Sequence, residues 1–364
     1  MSYTPNIALH PGRTIAKALD NEGLTQKSLS ERMGITEKHL SFIINGVASI
    51  TSDTALLLEN ALGGSASFWM NLEKEYQITK SRIERKRFLE EETKLISLFP
   101  YKELEEIGFV VNTNDKEEKV LSLMRFFAVN SLTTIKTTES IAFRKKDSPN
   151  IKNEHIAAWL RCGELLSKKL DLPEYSDKKL IELTTELKLL STKSEFDYIT
   201  IKDLLKNAGV GLIFLKQFSN TKVSGAVRWI NKNPIIQLSL YNKWADIFWF
   251  NLYHEIGHIL LHGKKNKFLE FDDKNTLIDN AENEAEIEAD KFAQDKLIHP
   301  VLYKNFLSQQ DFSKLGITKF ANSISIHPGI VAGRLCFDKH TKWEHVRQLR
   351  KLIDDKSIFL QPIN

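Results

Sequence analysis

Along the first eighty residues apolar positions recur three and four apart, the spacing of one helix face, and nowhere alternate as a half-buried strand would. Local signals divide this stretch into five short helices. Pro11 opens the first and Asn21-Glu22-Gly23 closes it; Thr25 caps Gln26 to Met33; Gly34 supplies a tight turn. Thr36 caps a third helix ending at Ile44 before Asn45-Gly46, Ser52 caps a fourth from Thr54 to Leu62, and Gly63-Gly64 precedes a fifth from about Ser67 to Tyr76. Two short helices joined by a glycine-containing turn make a helix-turn-helix. From about Phe88 to Leu190 the pattern stays helical: Val120, Leu121, Met124 and Phe127 share a face, and His155 to Leu170 is amphipathic. Asn112 to Lys119 and Lys145 to Asn150 are polar and read as loops. The period changes near Gly209. Val210 to Leu215, Gly225 to Ile230 and Ile235 to Leu240 are β-rich runs, the last two joined by Asn231-Lys232-Asn233-Pro234, and a helix from about Trp244 to His262 follows.

This pattern predicts a mainly α protein with a small α+β part in which a small antiparallel sheet packs on the Trp244–His262 helix. The expected organisation is a helix-turn-helix domain over residues 1–79, a helical middle region over 80–205, an α+β domain over 206–340 and a tail over 341–364. A chain of 364 residues, 42% apolar and 27% charged, is that of a soluble protein with more than one core. Met1-Ser2-Tyr3-Thr4-Pro5 lacks the basic start and apolar stretch of a signal peptide, and no run approaches the roughly 20 apolar residues of a membrane span. Cys162 and Cys336 are the two cysteines and match no metal spacing, so a cytoplasmic setting is expected. A net charge of +4 is mild, which leaves nucleic-acid binding to a local patch. The basic run Lys80 to Arg87 reads as a solvated helix face or as a phosphate-tracking extension.

Chemistry concentrates in His254-Glu255-Ile256-Gly257-His258. Two histidines four apart on a helix lie on one face about 6 Å along the axis, so both rings can reach one zinc ion; the glutamate between them is placed to take a proton from a water held there. His262 continues the spacing, yet it stands about 12 Å along the axis from His254, whereas nitrogens around one tetrahedral zinc are about 3.3 Å apart. The extended metzincin pattern fails too, with Leu261 and Lys264 where its glycine and third histidine would stand. A better third ligand lies in Glu282 to Ala293: Ala285, Ala289, Phe292 and Ala293 mark a buried helix face, which places Glu286 to bind the metal and Asp290 to hold the free ring nitrogen of a histidine ligand. Glu282, Glu284 and Glu288 read as solvated. Tyr253, His262 and His327 are candidate oxyanion donors between which the sequence does not choose.

Two resemblances cover much of the chain. His10-Pro11-Gly12, Gly23-Leu24-Thr25-Gln26, Ile44-Asn45-Gly46, Thr54-Ala55-Leu56 and Phe68-Trp69-Met70-Asn71-Leu72, in that order, resemble the DNA-binding domain of HigA-type antitoxins within the Xre/Cro class. That resemblance implies that Thr36 to Ile44 is a recognition helix in the major groove, with Leu40 and Ile43 inward and Glu37, Lys38, Ser41 and Phe42 outward, while Gln26 holds a phosphate. Glu37 and Phe42 are unusual there, because one repels phosphates and the other offers only apolar contact. Asp246 to Phe250, His254 to His258, Leu260 to Lys265 and Glu286 to Ala293 resemble the ImmA/IrrE metallopeptidases, which place a glutamate ligand where Glu286 falls. Ile326 to Leu335 is similar to the tail of family members fused to an Xre domain. The expectation is a dimeric DNA-binding regulator that recognises a palindromic double-stranded operator and carries a zinc (Zn2+) peptidase-like domain that senses a signal or cleaves a specific regulatory protein. Two alternatives stand beside it: a site-specific metalloprotease that inactivates a repressor, and a catalytically inactive antitoxin that binds an RNase toxin.

Overall fold

A computed structural model describes residues 7–135, 151–263, 268–271, 280–354 and 358. The polar stretch 145–150 and Lys264 lie outside these. The chain forms two compact units, Met1–Lys94 and Leu95–Asn364.

The first unit is built from α1 (Gly12–Glu22), α2 (Gln26–Met33), α3 (Glu37–Ile44), α4 (Ser52–Leu62) and α5 (Ala66–Thr93). The caps of α2 and α3 are those the sequence signals. Thr25 Oγ1 accepts from the Ser28 amide at 3.1 Å and Thr36 Oγ1 from that of His39 at 3.2 Å. The fourth cap is Thr51 rather than Ser52: Thr51 is the extended residue whose hydroxyl accepts from Thr54, and Ser52 is already helical. The fifth helix runs past Tyr76 to Thr93 as one element that takes in the basic run, which continues the helical pattern, because no glycine or proline interrupts Ser67 to Thr93. Ile15, Leu29, Leu40, Ile43, Leu58 and Trp69 form the core. Gly12 is a packing requirement, since a Cβ there would stand 2.2 Å from the Ile44 carbonyl oxygen; α1 and α3 meet backbone to backbone.

The second unit opens with α6 (Tyr101–Glu106), α7 (Lys116–Phe127), α8 (Asn153–Ser167), α9 (Asp177–Leu190) and α10 (Tyr198–Asn207). The expected loop Asn112 to Lys119 ends early, where Asp115 caps α7. Strands β1 (Gly211–Phe214), β2 (Val223–Ile230) and β3 (Asn233–Leu238) precede α11 (Ala245–His262). Strand β4 (Phe268–Phe271), α12 (Asn280–Leu297), α13 (Pro300–Gln309), α14 (Lys314–Ser323), α15 (Pro328–Phe337) and α16 (Trp343–Val346) follow. The sheet order is β1-β3-β2-β4, with β2 antiparallel to β3 and β4 but β1 parallel to β3. The sheet is therefore mixed, not antiparallel throughout. The β2–β3 hairpin folds back so that its return strand lies against β1, and strand order is not encoded in apolar alternation. The hairpin turn is two residues, Asn231 at φ 57° and Lys232, and Asn233-Pro234 belong to β3.

Leu180 and Leu187 of α9 and Ile201 and Leu205 of α10 share one core with Val227, Ile236, Trp249, Tyr253 and Val331. Helix α8 is tied to the sheet by Trp159 Nε1 donating to the Leu215 carbonyl (3.1 Å) and Gln237 Nε2 to the Trp159 carbonyl (2.8 Å). Helix α11 is buried at nearly every position from Ala245 to Ile259, which is why its apolar pattern runs all round. Its first turn is clamped by residues 350 and 351. The Ala245 amide donates to the Lys351 carbonyl, and the Arg350 guanidinium pairs with Asp246 at 2.9 Å while lying 4.3 Å from the ring centres of both Trp244 and Trp343.

Candidate metal centre and helix-turn-helix face

Helices α11 and α12 pack closely because small residues face each other: a Cβ on Gly257 would sit 3.2 Å from Ala289 Cα. That contact brings His254, His258 and Glu286 together, their ligand atoms all within 4.8 Å of one another. His254 Nε2 is 2.9 Å from His258 Nε2 and 3.1 Å from Glu286 Oε2, and His258 Nε2 is 3.5 Å from Glu286 Oε1. Donors about 2.1 Å from a tetrahedral ion stand about 3.4 Å apart, so this triangle fits zinc to within a few tenths of an ångström. Two ring nitrogens aimed at each other at 2.9 Å need a proton or a cation between them, and the donor set is the nitrogen–oxygen mixture zinc takes. Behind the triangle, His254 Nδ1 lies 3.0 Å from Asp290 Oδ1, which turns its Nε2 lone pair toward the other two donors.

Both ionisation states suit ligation. Burial pushes the His258 imidazole down to about 4 against the opposing pull of Glu286. Burial works against ionising Glu286, yet hydrogen bonds from His254 and His258 hold its carboxyl at about 2. Three protein ligands leave one position of a tetrahedron open, the arrangement of catalytic rather than structural sites.

Glu255, fully buried, lies beside the triangle against β2. Gly225 makes its room, since a Cβ there would stand 2.2 Å from Glu255 Oε1. Sequence reasoning passed over Gly225, although a glycine inside a strand is the mark of such an approach. Each of the three candidate oxyanion donors makes a contact within the protein. The Tyr253 hydroxyl donates to the Thr184 carbonyl and burial pushes it up; His262 Nε2 contacts the Ala285 carbonyl at 3.1 Å; His327 caps α15, its Nδ1 accepting from the Gly329 amide at 3.0 Å. The same device opens the chain, where His10 Nδ1 accepts from the Gly12 amide at 2.9 Å, so both histidine-proline-glycine triplets are helix starts.

In the first unit, Leu40 and Ile43 are buried while Gln26, Thr36, Glu37, Lys38 and Phe42 are exposed and Ser41 is half-buried. Ser41 Oγ accepts from Asn45 Nδ2 at 3.1 Å, and Lys38 Nζ stands 5.6 Å from the Phe42 ring centre, so the ammonium lies over the aromatic face. The basic run on α5 is exposed except at half-buried Ile83.

A helix-turn-helix unit thus shares a chain with a zincin-like α+β unit. Comparison with known proteins agrees: residues 15–69 match the helix-turn-helix family and residues 207–310 match the IrrE N-terminal-like domain of the M78 peptidases. The chain belongs to the Xre-type helix-turn-helix family through its first unit and carries an M78 peptidase domain in its second. Virulence-associated protein I of Dichelobacter nodosus is 31% identical over 72 residues, 20% of this chain and 67% of that protein. Antitoxin HigA-1 of Vibrio cholerae is 38% identical over 55 residues, 15% of this chain and 51% of its own length. Among solved structures, one described as an antidote protein of a plasmid maintenance system from Nostoc punctiforme is 31% identical, covering 23% of this chain and 91% of that one at a TM-score of 0.22. A HigA-family addiction module antidote protein from Coxiella burnetii is 30% identical, with 23% and 92% coverage and a TM-score of 0.22. Among the described residues no helix is long and apolar enough to cross a membrane.

Proposed function

We propose that this protein is a DNA-binding transcriptional regulator of the HigA antitoxin type whose second unit is a zinc peptidase-like domain that senses a signal or cleaves a specific regulatory protein. The observation that carries the reading is one chain holding both an exposed recognition helix and a His254–His258–Glu286 donor triangle backed by Asp290. When bound, zinc supplies Lewis acidity that acidifies water and polarises a carbonyl. The chain's own contribution is Glu255, which accepts a proton from its buried place against Gly225, and Asp290, which fixes the tautomer of His254.

On the DNA side, a homodimer places two copies of α3 in successive major grooves of a palindromic operator, with Lys38 and the α2 start at Gln26 meeting phosphates and Thr36, Glu37, Ser41 and Phe42 near base edges. Fluorescence anisotropy against the chain's own promoter fragment tests this. Wild type should bind with a steep salt dependence, and Lys38→Ala should flatten the slope of log affinity against log salt by about one unit; an unchanged slope would remove Lys38 from the interface. Mass spectrometry after incubating zinc-loaded protein with repressors, or with an RNase toxin from an adjacent reading frame, decides the output. Cleavage abolished by Glu255→Gln supports proteolysis, whereas stable stoichiometric binding unaffected by that change supports a toxin-binding role.

A further inference from the structure

Between α11, α12 and α15 lies a cavity of about 340 Å³ that the metal chemistry does not use. Its lining comes within one helical turn of the metal-centre residues on both α11 and α12. Phe250 and Asn251 stand one turn before His254 on α11, and Gln294 stands one turn after Asp290 on α12. Leu297, Ile298 and Ile330 supply apolar wall. At the mouth stand Phe337, 53% exposed, and Trp343, 39% exposed, whose ring also carries the Arg350 guanidinium at 4.3 Å.

The polar groups narrow the occupant. Asp246 and Arg334 both border the cavity, but Asp246 is paired with Arg350 at 2.9 Å and Arg334 with Asp338 at 2.6 Å, so their charges are answered within the protein. The half-buried amides of Asn251 and Gln294 have no side-chain hydrogen bond to protein among the described residues, and each offers a donor and an acceptor. The volume lies within the range of sites for whole small ligands, about 300–1,000 Å³, and exceeds what one amino-acid side chain fills. Phe250 links the cavity to the metal centre, with its ring 6.3 Å from that of His254.

We infer that this cavity is a binding site for a neutral, largely apolar small molecule carrying one amide-pairing polar group, and that occupancy is transmitted through Phe250 to His254. Its role as the place where a signal is read rests on the regulator reading above; occupancy itself does not. The test uses the full chain and a neutral fluorescent probe, N-phenyl-1-naphthylamine. Wild type should bind it saturably with one probe per chain, and binding should weaken roughly tenfold or more in Gln294→Trp, which fills the cavity from the α12 side, and in Phe337→Ala, which strips an exposed wall without touching the core. Non-saturable binding, or equal binding by wild type and a folded Phe337→Ala, overturns the site. His254→Ala should keep probe binding, so failure of the metal reading is distinguishable from failure of this one. Coupling is read as zinc affinity with and without saturating probe: linkage of ordinary strength gives a change of about 5-fold or more, and equal affinities overturn the coupling.

Discussion

Asp290→Ala tests the metal centre where it is most quantitative, because Asp290 contributes no ligand atom and acts only through the His254 ring. With Oδ1 3.0 Å from Nδ1, the carboxylate accepts from Nδ1–H, holds the proton there and leaves the Nε2 lone pair facing Glu286 and His258. Without it the ring can carry its proton on Nε2 and turn, and both changes must be reversed before zinc binds. Losing such a partner lowers affinity by about 10–100-fold, or about 1.4–2.7 kcal/mol. Asp290 is 38% exposed, so a water can replace part of the hydrogen bond, which places the expected loss near the tenfold end.

The assay is competition for zinc against a chromophoric chelator at fixed pH and ionic strength, with thermal melts at matched free zinc. The melting temperature gained on adding zinc should fall by several degrees, since the lost binding energy is lost stabilisation. Asp290→Asn is the internal control: its carbonyl oxygen still accepts from Nδ1, so it should lose less than Asp290→Ala. If Asp290→Ala binds zinc as tightly as wild type, the assignment of His254 as an oriented ligand is wrong.

Three further outcomes follow from packing and charge. Gly225→Ala drives a Cβ to 2.2 Å from Glu255 Oε1 and should cost about 1–3 kcal/mol in urea unfolding, much of it recovered in the Gly225→Ala, Glu255→Ala double variant; additive losses would refute the contact. Arg350→Ala leaves the Asp246 carboxylate, 6% exposed, without its cation where burial already raises the Asp246 pKa against the pull of Arg350, and should cost about 3–5 kcal/mol in the same assay; a loss below about 1 kcal/mol would mean the pair is solvated. Burial lowers the His155 pKa below 6.5 despite its Nδ1 donating to the Ser219 carbonyl at 2.6 Å, so the unfolded chain binds the extra proton first; this contribution is whole above about pH 6.5 and is lost as pH falls toward the folded value. Melts from pH 7.5 to 5.5 should therefore fall less steeply in His155→Gln than in wild type, and parallel curves would count against a buried neutral imidazole.

What could be read from the sequence was local. Thr25, Thr36, Gly34 and the spacing of Leu40 and Ile43 act within a turn or two of themselves, and each stands in the structure as its chemistry requires. The Glu286 assignment also drew on a local signal, the alanine stripe Ala285, Ala289 and Ala293, whose burial turns Glu286 and Asp290 toward α11. What the sequence misread or left open depended on neighbours distant in the chain. The direction of β1 follows from which strand the hairpin lays beside it, and the choice left open among Tyr253, His262 and His327 turns on contacts such as that of the Tyr253 hydroxyl with the Thr184 carbonyl of α9. Gly225 and Arg350 belong to the same class. Neither lies in a motif, yet one makes the space for Glu255 thirty residues away and the other neutralises Asp246 across more than a hundred. A motif names the groups that can do chemistry, while the residues that hold them at distance are chosen by the fold. Gly225 and Arg350 therefore join Asp290 as positions where substitution should disturb the site without altering any ligand.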